Sequence, residues 1–315
     1  MYLLYRGESF NPNFYYLAGA DIDHSFLLAE GSKRTLLVPK MNYELAKKDF
    51  DGKVLIYTDW LKDLKKAVGS RKILFIDETS TSASLYKKLK KLTKLKDCSS
   101  ELSKLRGKKK PFEISKIKQA SALTKQLLSE LDFSKFKTEL EVRNYLLKRT
   151  FEMGFEPAFR PIVATNPNSR FPHYESGSVK LRDMVLVDYG LKFENYCSDL
   201  TRCYFLRNGT EAEKNYSKLQ DIFHDITDAL PNFSKGKEVA SFQEKLFSKY
   251  GLPKPIHSIG HGVGLEVHEY PSLGLKSDNS LPNSVLAIEP GAYFKGYGIR
   301  FEETISFDGR KVRIL

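Results

Sequence analysis

Two aspartates near the middle of the chain constrain its fold more than any other feature. Asp188 ends the apolar run at residues 185–187, and Asp199, eleven residues later, precedes the sequence Leu-Thr-Arg-Cys-Tyr-Phe. This interval is long enough for a strand, a tight turn and a returning strand. We therefore predict a hairpin in which both carboxylates face one pocket.

Three further candidate metal ligands follow, each beside glycines or on an apolar strand. His261 lies in Gly-His-Gly-Val-Gly, Glu289 in Ile-Glu-Pro-Gly, and Glu302 in Gly-Ile-Arg-Phe-Glu-Glu-Thr. Four carboxylates and one imidazole are mostly hard donors, which suit a pair of divalent ions such as Mn, Co, Zn or Fe. Two ions about 3.5–4 Å apart can hold a bridging hydroxide and polarise a carbonyl, which is a hydrolase design. The candidate metal ligands are Asp188, Asp199, His261, Glu289 and Glu302.

The order and spacing of these motifs resemble one known family. Asp-Tyr-Gly, Cys-Ser-Asp-Leu-Thr-Arg, Gly-His-Gly-Val-Gly-Leu-Glu-Val-His-Glu-Tyr-Pro, Ile-Glu-Pro-Gly and Gly-Ile-Arg-Phe-Glu-Glu-Thr look like the motifs of the pita-bread metallopeptidases. That family includes prolidase, aminopeptidase P, methionine aminopeptidase and creatinase. The resemblance implies an α+β pita-bread catalytic domain that binds two divalent metal ions. Mn and Co are the first choices, with Zn and Fe as alternatives.

The resemblance also implies roles for individual residues. His173, in Pro-His-Tyr, is similar to the family's substrate-contacting histidine, and His268 is similar to the residue that donates hydrogen bonds to the scissile carbonyl or tetrahedral intermediate. Glu289 would both bind metal and shuttle the proton. His257 would line the pocket for the residue after the cleaved bond. Arg300 would orient a ligand carboxylate, although an ordinary salt bridge is equally compatible with its position.

The two neighbouring glutamates near the end of the chain have different expected roles. By the resemblance, Glu302 bridges both metal ions. Glu303 is adjacent on a predicted strand and therefore points to the opposite face. Glu302 is the ligand in this interpretation, and Glu303 is the weaker candidate.

Two positions depart from the family pattern. Archaeal prolidases often carry an arginine after His-Glu-Tyr-Pro, where it could hold the free carboxylate of a dipeptide, but this chain has Ser272. Lys254, Lys276 or Arg300 could replace that arginine. At Glu194-Asn-Tyr, relatives commonly have glycine before the tyrosine. We expect this second change to affect the turn and not the ligands.

The residues before the catalytic motifs alternate strand and helix signals, which indicate an α/β domain. A hairpin is predicted around residues 26–38, buried strands at 54–57 and 73–76, and helices at 60–68 and 84–95. The segment at 13–19 is similar to the start of the creatinase-type N-terminal domain. Charge and a proline interrupt the periodicity at 104–110, which predicts a linker there.

The domain prediction follows from that linker. Residues 1–107 are expected to form a creatinase-like N-terminal domain, and residues 108–315 a pita-bread catalytic domain. One helix is predicted from the buried face at 117–131. A second is predicted from Thr138 and Glu141, which have capping-box spacing, to Gly154. These helices would cover the catalytic sheet.

Charge and cysteine usage restrict partner and compartment. The net charge is +12, and most of the excess lies in the first 110 residues, where lysines spaced along helices indicate a solvated face and no nucleic-acid site. The cysteines, Cys98, Cys197 and Cys203, show no paired metal spacing. Cys197 and Cys203 are expected on one face of one strand, which excludes a disulfide between hairpin partners. A reduced cytoplasmic protein is expected, without a secretory or membrane-spanning segment.

The expected activity is hydrolysis of the Xaa-Pro peptide bond, first as an Xaa-Pro dipeptidase and alternatively as aminopeptidase P on longer peptides. The N-terminal domain argues against methionine aminopeptidase, which usually lacks it. Retention of all five ligands argues against creatinase, which works without the metal pair. A non-catalytic peptide-binding module on the same fold predicts missing ligands. By the resemblance the enzyme is a homodimer.

Overall fold

The computed structural model describes residues 1–315 and separates into two units, Met1–Arg106 and Gly107–Leu315. The predicted linker at 104–110 is helical over its first half, because a helix occupies Ser99–Gly107. Burial accounts for this difference. Leu102 and Arg106 are buried in the N-terminal unit, where the Arg106 guanidinium donates to Asn13 Oδ1 at 2.9 Å.

The N-terminal unit is a mixed six-stranded sheet with helices on both faces. Its strand order is β4-β3-β2-β1-β5-β6, with antiparallel pairs among β1, β2 and β3 and parallel pairs elsewhere. The strands are β1 (Tyr2–Arg6), β2 (Ser25–Glu30), β3 (Lys33–Pro39), β4 (Lys53–Tyr57), β5 (Ile73–Ile76) and β6 (Lys94–Asp97). The helices are α1 (Pro12–Ala18), α2 (Tyr43–Asp49), α3 (Trp60–Val68), α4 (Ala83–Leu89) and α5 (Ser99–Gly107).

The strand and helix predictions for this unit are confirmed except at one place. Alternate residues of the central strands enter two separate cores, so that Leu27 and Leu36 pack on one face of the sheet while Leu28 and Leu37 pack on the other. The predicted helix at 84–95 is wrong beyond Leu89, because residues 94–97 form β6. Their Lys-Leu-Lys alternation also fits a strand, and parallel pairing with β5 decides the outcome.

The C-terminal unit combines four helices with several small sheets. Its helices are α6 (Pro111–Ser129), α7 (Glu139–Glu152), α8 (Glu211–Ala229) and α9 (Gly236–Lys249). Its strands are β7 (Glu156–Pro157), β8 (Ile162–Thr165), β9 (Met184–Tyr189), β10 (Leu191–Phe193), β11 (Tyr196–Cys197), β12 (Leu200–Phe205), β13 (Gly260–Gly262), β14 (Glu269–Ser272), β15 (Ser284–Ile288), β16 (Gly291–Tyr293), β17 (Gly298–Arg300), β18 (Glu303–Phe307) and β19 (Val312–Ile314). The two sheets with the longest strands are the three-stranded β12-β9-β8 and the five-stranded β14-β13-β15-β18-β19.

The predicted helices of this unit are present, and each buries one face. Ile117, Ala120 and Leu127 of α6 are fully buried, as expected from their spacing. Helix α7 begins after Thr138, whose hydroxyl accepts from the Glu141 N–H at 3.3 Å. The Glu141 carboxylate accepts from the backbone of residue 137 and not from that of Thr138, so only half of the capping box forms. No helix of the chain combines the length and apolar character needed to cross a membrane.

The central hairpin is more elaborate than a strand, a turn and a strand. Strands β9 and β12 pair antiparallel, with Thr201 opposite Asp188, but the short strands β10 and β11 intervene. Cys197 therefore lies on β11 and Cys203 on β12, so the prediction that they share one strand is wrong. All three cysteines are buried and free. The β10–β11 turn places Glu194 and Asn195 at φ values of 47° and 69°, the conformation for which glycine is favoured.

Candidate metal centre

The five predicted ligands lie together, and they come from both large sheets of the C-terminal unit. Their ligand atoms form overlapping groups in which all members lie within 4.8 Å of one another. The first group combines residues on or next to β9, β12 and β18. The second combines residues on or next to β13, β15 and β18, and the third includes a second histidine. The groups are Asp188, Asp199 and Glu302; His261, Glu289 and Glu302; and Asp199, His261 and His268.

Local strand geometry explains how each carboxylate reaches the cluster. Asp188 lies on β9, and Asp199 immediately precedes β12, the antiparallel partner of β9. Glu302 precedes β18, and an isolated bridge pairs it with Thr201 of β12. The Thr201 hydroxyl donates to Glu302 Oε2 at 2.6 Å. The bridge therefore brings the ligands of the two sheets together.

His261 presents an unprotonated nitrogen to the carboxylates. Its Nδ1 lies 3.2 Å from the Gly262 carbonyl, which can only accept, so Nδ1 carries the hydrogen. Its Nε2 lies 3.6 Å from both Asp199 Oδ2 and Glu289 Oε1. Burial lowers the pKa of His261 to about 3 and keeps the ring neutral. A neutral imidazole fixed through its other nitrogen is the form that binds a metal ion.

The carboxylates of the cluster are buried close to one another, so their negative charges repel. Burial raises the pKa of Asp199 and that of Glu302 well above their ordinary values, and the neighbouring carboxylates raise both further. Burial also raises the pKa of Glu289 to about 7. Asp188 Oδ1 is buried without a hydrogen-bond partner. Buried carboxylates that repel one another, together with an unpartnered oxygen, are the chemistry that divalent cations satisfy.

Arg300 lies within the cluster and is fully engaged by its neighbours. It is 4% exposed, and its Nη2 donates to Asp188 Oδ2 at 2.5 Å. Its Nε donates to Thr201 Oγ1 at 3.1 Å, and its Nη1 donates to Tyr293 Oη at 3.0 Å. Of the two interpretations drawn from sequence, this geometry is that of the ordinary salt bridge.

Tyr293 is a residue of the site that the sequence interpretation missed. His257 Nδ1 lies 2.8 Å from the Ser258 carbonyl and therefore carries its hydrogen, so Nε2 accepts from the Tyr293 hydroxyl at 3.0 Å. Tyr293 in turn accepts from Arg300. The only sequence signal is its place four residues after Glu289, where a tyrosine on a strand is equally typical of a core residue.

The remaining predicted residues lie beside the cluster. The ring centroids of His261 and His268 are 4.1 Å apart, and His268 is exposed. His173 is exposed in the loop between β8 and β9. Burial lowers the pKa of His257 to about 4 and also lowers the pKa of His268, and His173 adds a smaller lowering effect to both. The buried cluster is therefore flanked by histidines that solvent can reach.

Glu303 points away from the cluster, as its position next to Glu302 predicts. Its carboxylate pairs with the Arg202 guanidinium, and its Oε2 lies 2.9 Å from Lys125 Nζ. Arg202 also donates to the Glu302 carbonyl at 2.6 Å. Glu303 thus anchors the strand that carries the ligand and has two cationic partners of its own.

Comparison with family models assigns both parts of the chain. The model of Metallopeptidase family M24 matches residues 115–307. The model of the Creatinase/Prolidase N-terminal domain matches residues 4–107. The first match covers more than half of the chain and includes every residue of the cluster.

Individual relatives extend over nearly the full length of both chains. An Xaa-Pro dipeptidase of Pyrococcus horikoshii is 31% identical over 94% of this chain and 87% of its own. Another, of Pyrococcus furiosus, is 28% identical over 93% of this chain and 87% of its own.

Solved structures are similar over the same extent. An X-Pro aminopeptidase of Thermotoga maritima has a TM-score of 0.89 at 25% identity and covers 100% of this chain and 95% of its own. The prolidase of P. horikoshii has a TM-score of 0.88 at 28% identity, over 99% of this chain and 92% of its own. The predicted fold class is thereby confirmed: a creatinase-like α/β domain precedes an α+β pita-bread domain. The chain is an enzyme and belongs to metallopeptidase family M24.

Proposed function

We propose that this enzyme hydrolyses the peptide bond that precedes proline, with Xaa-Pro dipeptides as its first expected substrates. The observation that carries the proposal is the buried cluster of four carboxylates and the neutral His261 within the family's characteristic motifs. Relatives that cover most of the chain are Xaa-Pro dipeptidases. We assign residues 1–107 to the N-terminal domain and residues 108–315 to the catalytic domain.

The donor set fits two divalent metal ions. The Nε2 of His261 carries no hydrogen, Asp188 Oδ1 has no hydrogen-bond partner, and burial beside other carboxylates disfavours the ionised form of Asp199. Asp188, Asp199, His261, Glu289 and Glu302 would hold the pair, with Mn or Co as the first choice and Zn or Fe as alternatives. When bound, such a pair supplies Lewis acidity toward the scissile carbonyl and lowers the pKa of the nucleophilic water.

Glu289 is suited to move the proton between the two halves of the reaction. Its carboxylate lies within the cluster, with Oε1 3.6 Å from His261 Nε2, where it can accept a proton from the nucleophilic water and return it. It accepts the proton of the attacking water and delivers it to the proline nitrogen as the peptide bond breaks. Glu289 therefore acts first as a base toward the water and then as an acid toward the leaving nitrogen.

The histidines around the cluster bind and orient the substrate. His268 donates a hydrogen bond to the oxygen of the scissile carbonyl as negative charge develops there, and His173 contacts the substrate from the loop before β9. His257, held by Ser258 and Tyr293, lines the pocket for the proline ring. Arg300 acts on a substrate carboxylate only if it is released from Asp188.

One position favours a second candidate, aminopeptidase activity on longer peptides. Ser272 is paired with His261 across β13 and β14, and paired residues project to the same face of a sheet. Two of the residues suggested to replace the prolidase arginine have acidic partners of their own. Arg300 pairs with Asp188, and Lys254 lies 3.3 Å from Glu244. A substrate without a free carboxylate at this point needs no such cation.

The test is hydrolysis by metal-stripped enzyme resupplied with Mn or Co. An Xaa-Pro dipeptide, a matched Xaa-Pro-Xaa tripeptide and a proline-free peptide are compared at equal concentration. Cleavage of the dipeptide alone identifies an Xaa-Pro dipeptidase, and cleavage of the tripeptide identifies an aminopeptidase. Equal cleavage of the proline-free control contradicts proline specificity. Activity on none of them, with metal bound, would support the peptide-binding module.

Substituting Ser272→Arg is expected to shift preference toward dipeptides. A charge-assisted hydrogen bond to the free carboxylate contributes about 1.5–3 kcal/mol, which corresponds to a roughly 10- to 100-fold rise in the dipeptide-to-tripeptide ratio of kcat/KM. Ser272→Gln, which adds length without charge, is the matched control and should leave the ratio near its wild-type value. A ratio that rises equally in both variants would mean that side-chain size, and not charge, sets the preference.

Assembly and location follow from the family resemblance and from the state of the cysteines. We place the enzyme in the cytoplasm because its three cysteines are buried and unpaired, as is usual in a reducing compartment. The homodimer rests on the resemblance to the family. Sedimentation equilibrium of the metal-loaded enzyme distinguishes a dimer from the 36.1 kDa monomer.

A further inference from the structure

A buried ion pair outside the metal cluster joins the start of the C-terminal unit to the strand that follows His268. Lys109 Nζ lies 2.6 Å from Glu269 Oε1, and the two side chains are 1% and 3% exposed. Lys109 precedes α6, and its backbone N–H donates to the Asn283 carbonyl at 2.7 Å. Glu269 is the first residue of β14. The pair thus fixes one end of β14 from a segment distant in sequence.

Stability alone is a poor reason for such a pair. Removing two charges from water costs several kcal/mol per ion, and apolar residues of similar volume often serve a fold equally well. A buried pair does fix geometry, because each charge tolerates few positions of the other. The contacts of the Glu269 carboxylate indicate which part of the site the pair fixes.

The carboxylate closes the loop between the two histidines of the site. Glu269 Oε2 accepts from the Glu266 N–H at 3.4 Å. A Cβ at Gly264 would lie 2.2 Å from Glu269 Oε1, so only glycine permits this approach. The Gly264 N–H donates to the Glu266 carbonyl at 3.0 Å, and the Gly264 carbonyl accepts from the Cys197 N–H at 2.7 Å. The Glu269 side chain and these backbone hydrogen bonds therefore hold the loop between His261 and His268 in place.

The same side chain fixes the backbone next to His268. Glu269 directly follows His268, and its carboxylate is buried against Lys109, whereas His268 is exposed. The His268 ring lies 4.1 Å from that of His261 with a 44° tilt. Strand pairing holds the residues that follow, because Glu269 pairs with Gly262 and Ser272 pairs with His261.

We propose that Lys109 and Glu269 are positioning residues whose ion pair holds His268 over the metal cluster. Neither touches substrate, because both side chains are buried away from the site. The inference rests on the proposed peptidase function, in which His268 donates to the scissile carbonyl. Loss of the pair leaves the metal ligands in place and lets His268 move, so that binding of the ground state survives and stabilisation of the transition state falls.

The test uses the metal-loaded full chain with both charges removed. K109M/E269Q keeps the length of both side chains and leaves no unpaired buried charge. We expect unchanged metal content, a kcat roughly 10²-fold lower, as for a misplacement of about 1 Å, and a nearly unchanged KM. K237M/D278N removes an exposed ion pair of the same unit, at 2.6 Å, and should change none of these values.

Two further readouts separate positioning from a general structural effect. In a H268A background the double substitution should cause no further loss, because coupled residues are not additive. In the Zn-loaded protein, the ¹H–¹³C signal of the His268 ring, assigned with H268A, should shift or broaden while those of His24 and His224 stay. An additive loss, or an unchanged His268 signal, would overturn the proposal. If K109M/E269Q does not fold, K109Q/E269Q, which also leaves no unpaired buried charge, is measured in the same way.

The spectrum also keeps the two proposals separate. A wild-type enzyme that cleaves no proline peptide would end the proposed function, yet the His268 signal still reports whether the ion pair positions the ring. Conversely, cleavage by K109M/E269Q at the wild-type rate would end the positioning role and leave the proposed function intact.

Discussion

Alanine in place of Asp199 is expected to release metal from the site and to lower kcat/KM for a proline peptide by roughly 10³-fold or more, since metal assistance contributes several kcal/mol. Asp199 belongs to two of the ligand groups, one with Asp188 and one with His261, so its loss weakens both. The metal-free variant should also be more stable than the metal-free wild type. Burial and neighbouring carboxylates raise the pKa of Asp199, which makes its ionised form unfavourable at neutral pH.

The measurement combines metal analysis, peptide hydrolysis and thermal unfolding on the same preparations. Asp221→Ala is the matched control, because Asp221 is exposed on α8 and has no part in the cluster. Metal content and activity that survive Asp199→Ala unchanged would contradict the assignment of the site. A loss of activity with full metal content would assign Asp199 to catalysis instead of metal binding.

The metal-free protein is expected to lose stability as the pH rises above about 6.5. Burial raises the pKa of Glu289 to about 7 and raises those of Asp199 and Glu302 well above their ordinary values. The same groups titrate near 4 in the unfolded chain, so the folded state holds more protons between these limits. The stabilisation that these carboxyl groups give is fully present below their pKa in the unfolded chain. It is lost as the pH rises through their pKa in the folded protein.

Two buried histidines act in the opposite direction at lower pH. Burial lowers the pKa of His257 to about 4 and that of His261 to about 3. Both rings stay neutral in the fold while the unfolded chain takes up protons below about pH 6.5. They therefore destabilise the fold only on the acidic side. Measurements between about pH 6.5 and 8.5 isolate the carboxylates, whose effect should be roughly 1 kcal/mol or more.

Bound metal should reverse the loss of stability that the metal-free protein shows as the pH rises. An ion present at a thousandfold excess over its dissociation constant stabilises the fold by about 4 kcal/mol, or roughly 10 °C for a unit of about 200 residues. The increment should grow with pH, because bound ions replace protons on the carboxylates. Thermal scans with and without Mn, at low ionic strength and fixed protein concentration, measure both trends. A metal-free melting temperature that rises across the range would contradict the raised carboxylate pKa values.

The residues that come together in the cluster could be grouped from sequence because each lies in a short motif with its own spacing. His261 between glycines and Glu302 on an apolar strand needed no tertiary information. The contacts of Tyr293 and Arg300 could not be predicted without tertiary information, because Arg300 meets its partners only where β17 approaches β9 and β12. Pairing between strands far apart in the chain has no signature in a local pattern.

The fold shows the same division between local and long-range information. Helix α3 and the β2–β3 hairpin follow from periodicity and turn residues. Residues 94–97 fit both a helical and an alternating pattern, and only the neighbouring strand β5 decides between them. The short strands β10 and β11 are equally invisible, because each is two or three residues long. Tertiary pairing overrides local propensity at these positions.

The bridge between Thr201 and Glu302 has a kinetic consequence. These residues are 101 positions apart, and the loop between them must close before the carboxylates of the two sheets can meet. Contacts of such long sequence separation are associated with slow folding. We therefore expect the complete set of carboxylates to assemble only when the two sheets have docked, so that metal uptake during refolding would report this docking step.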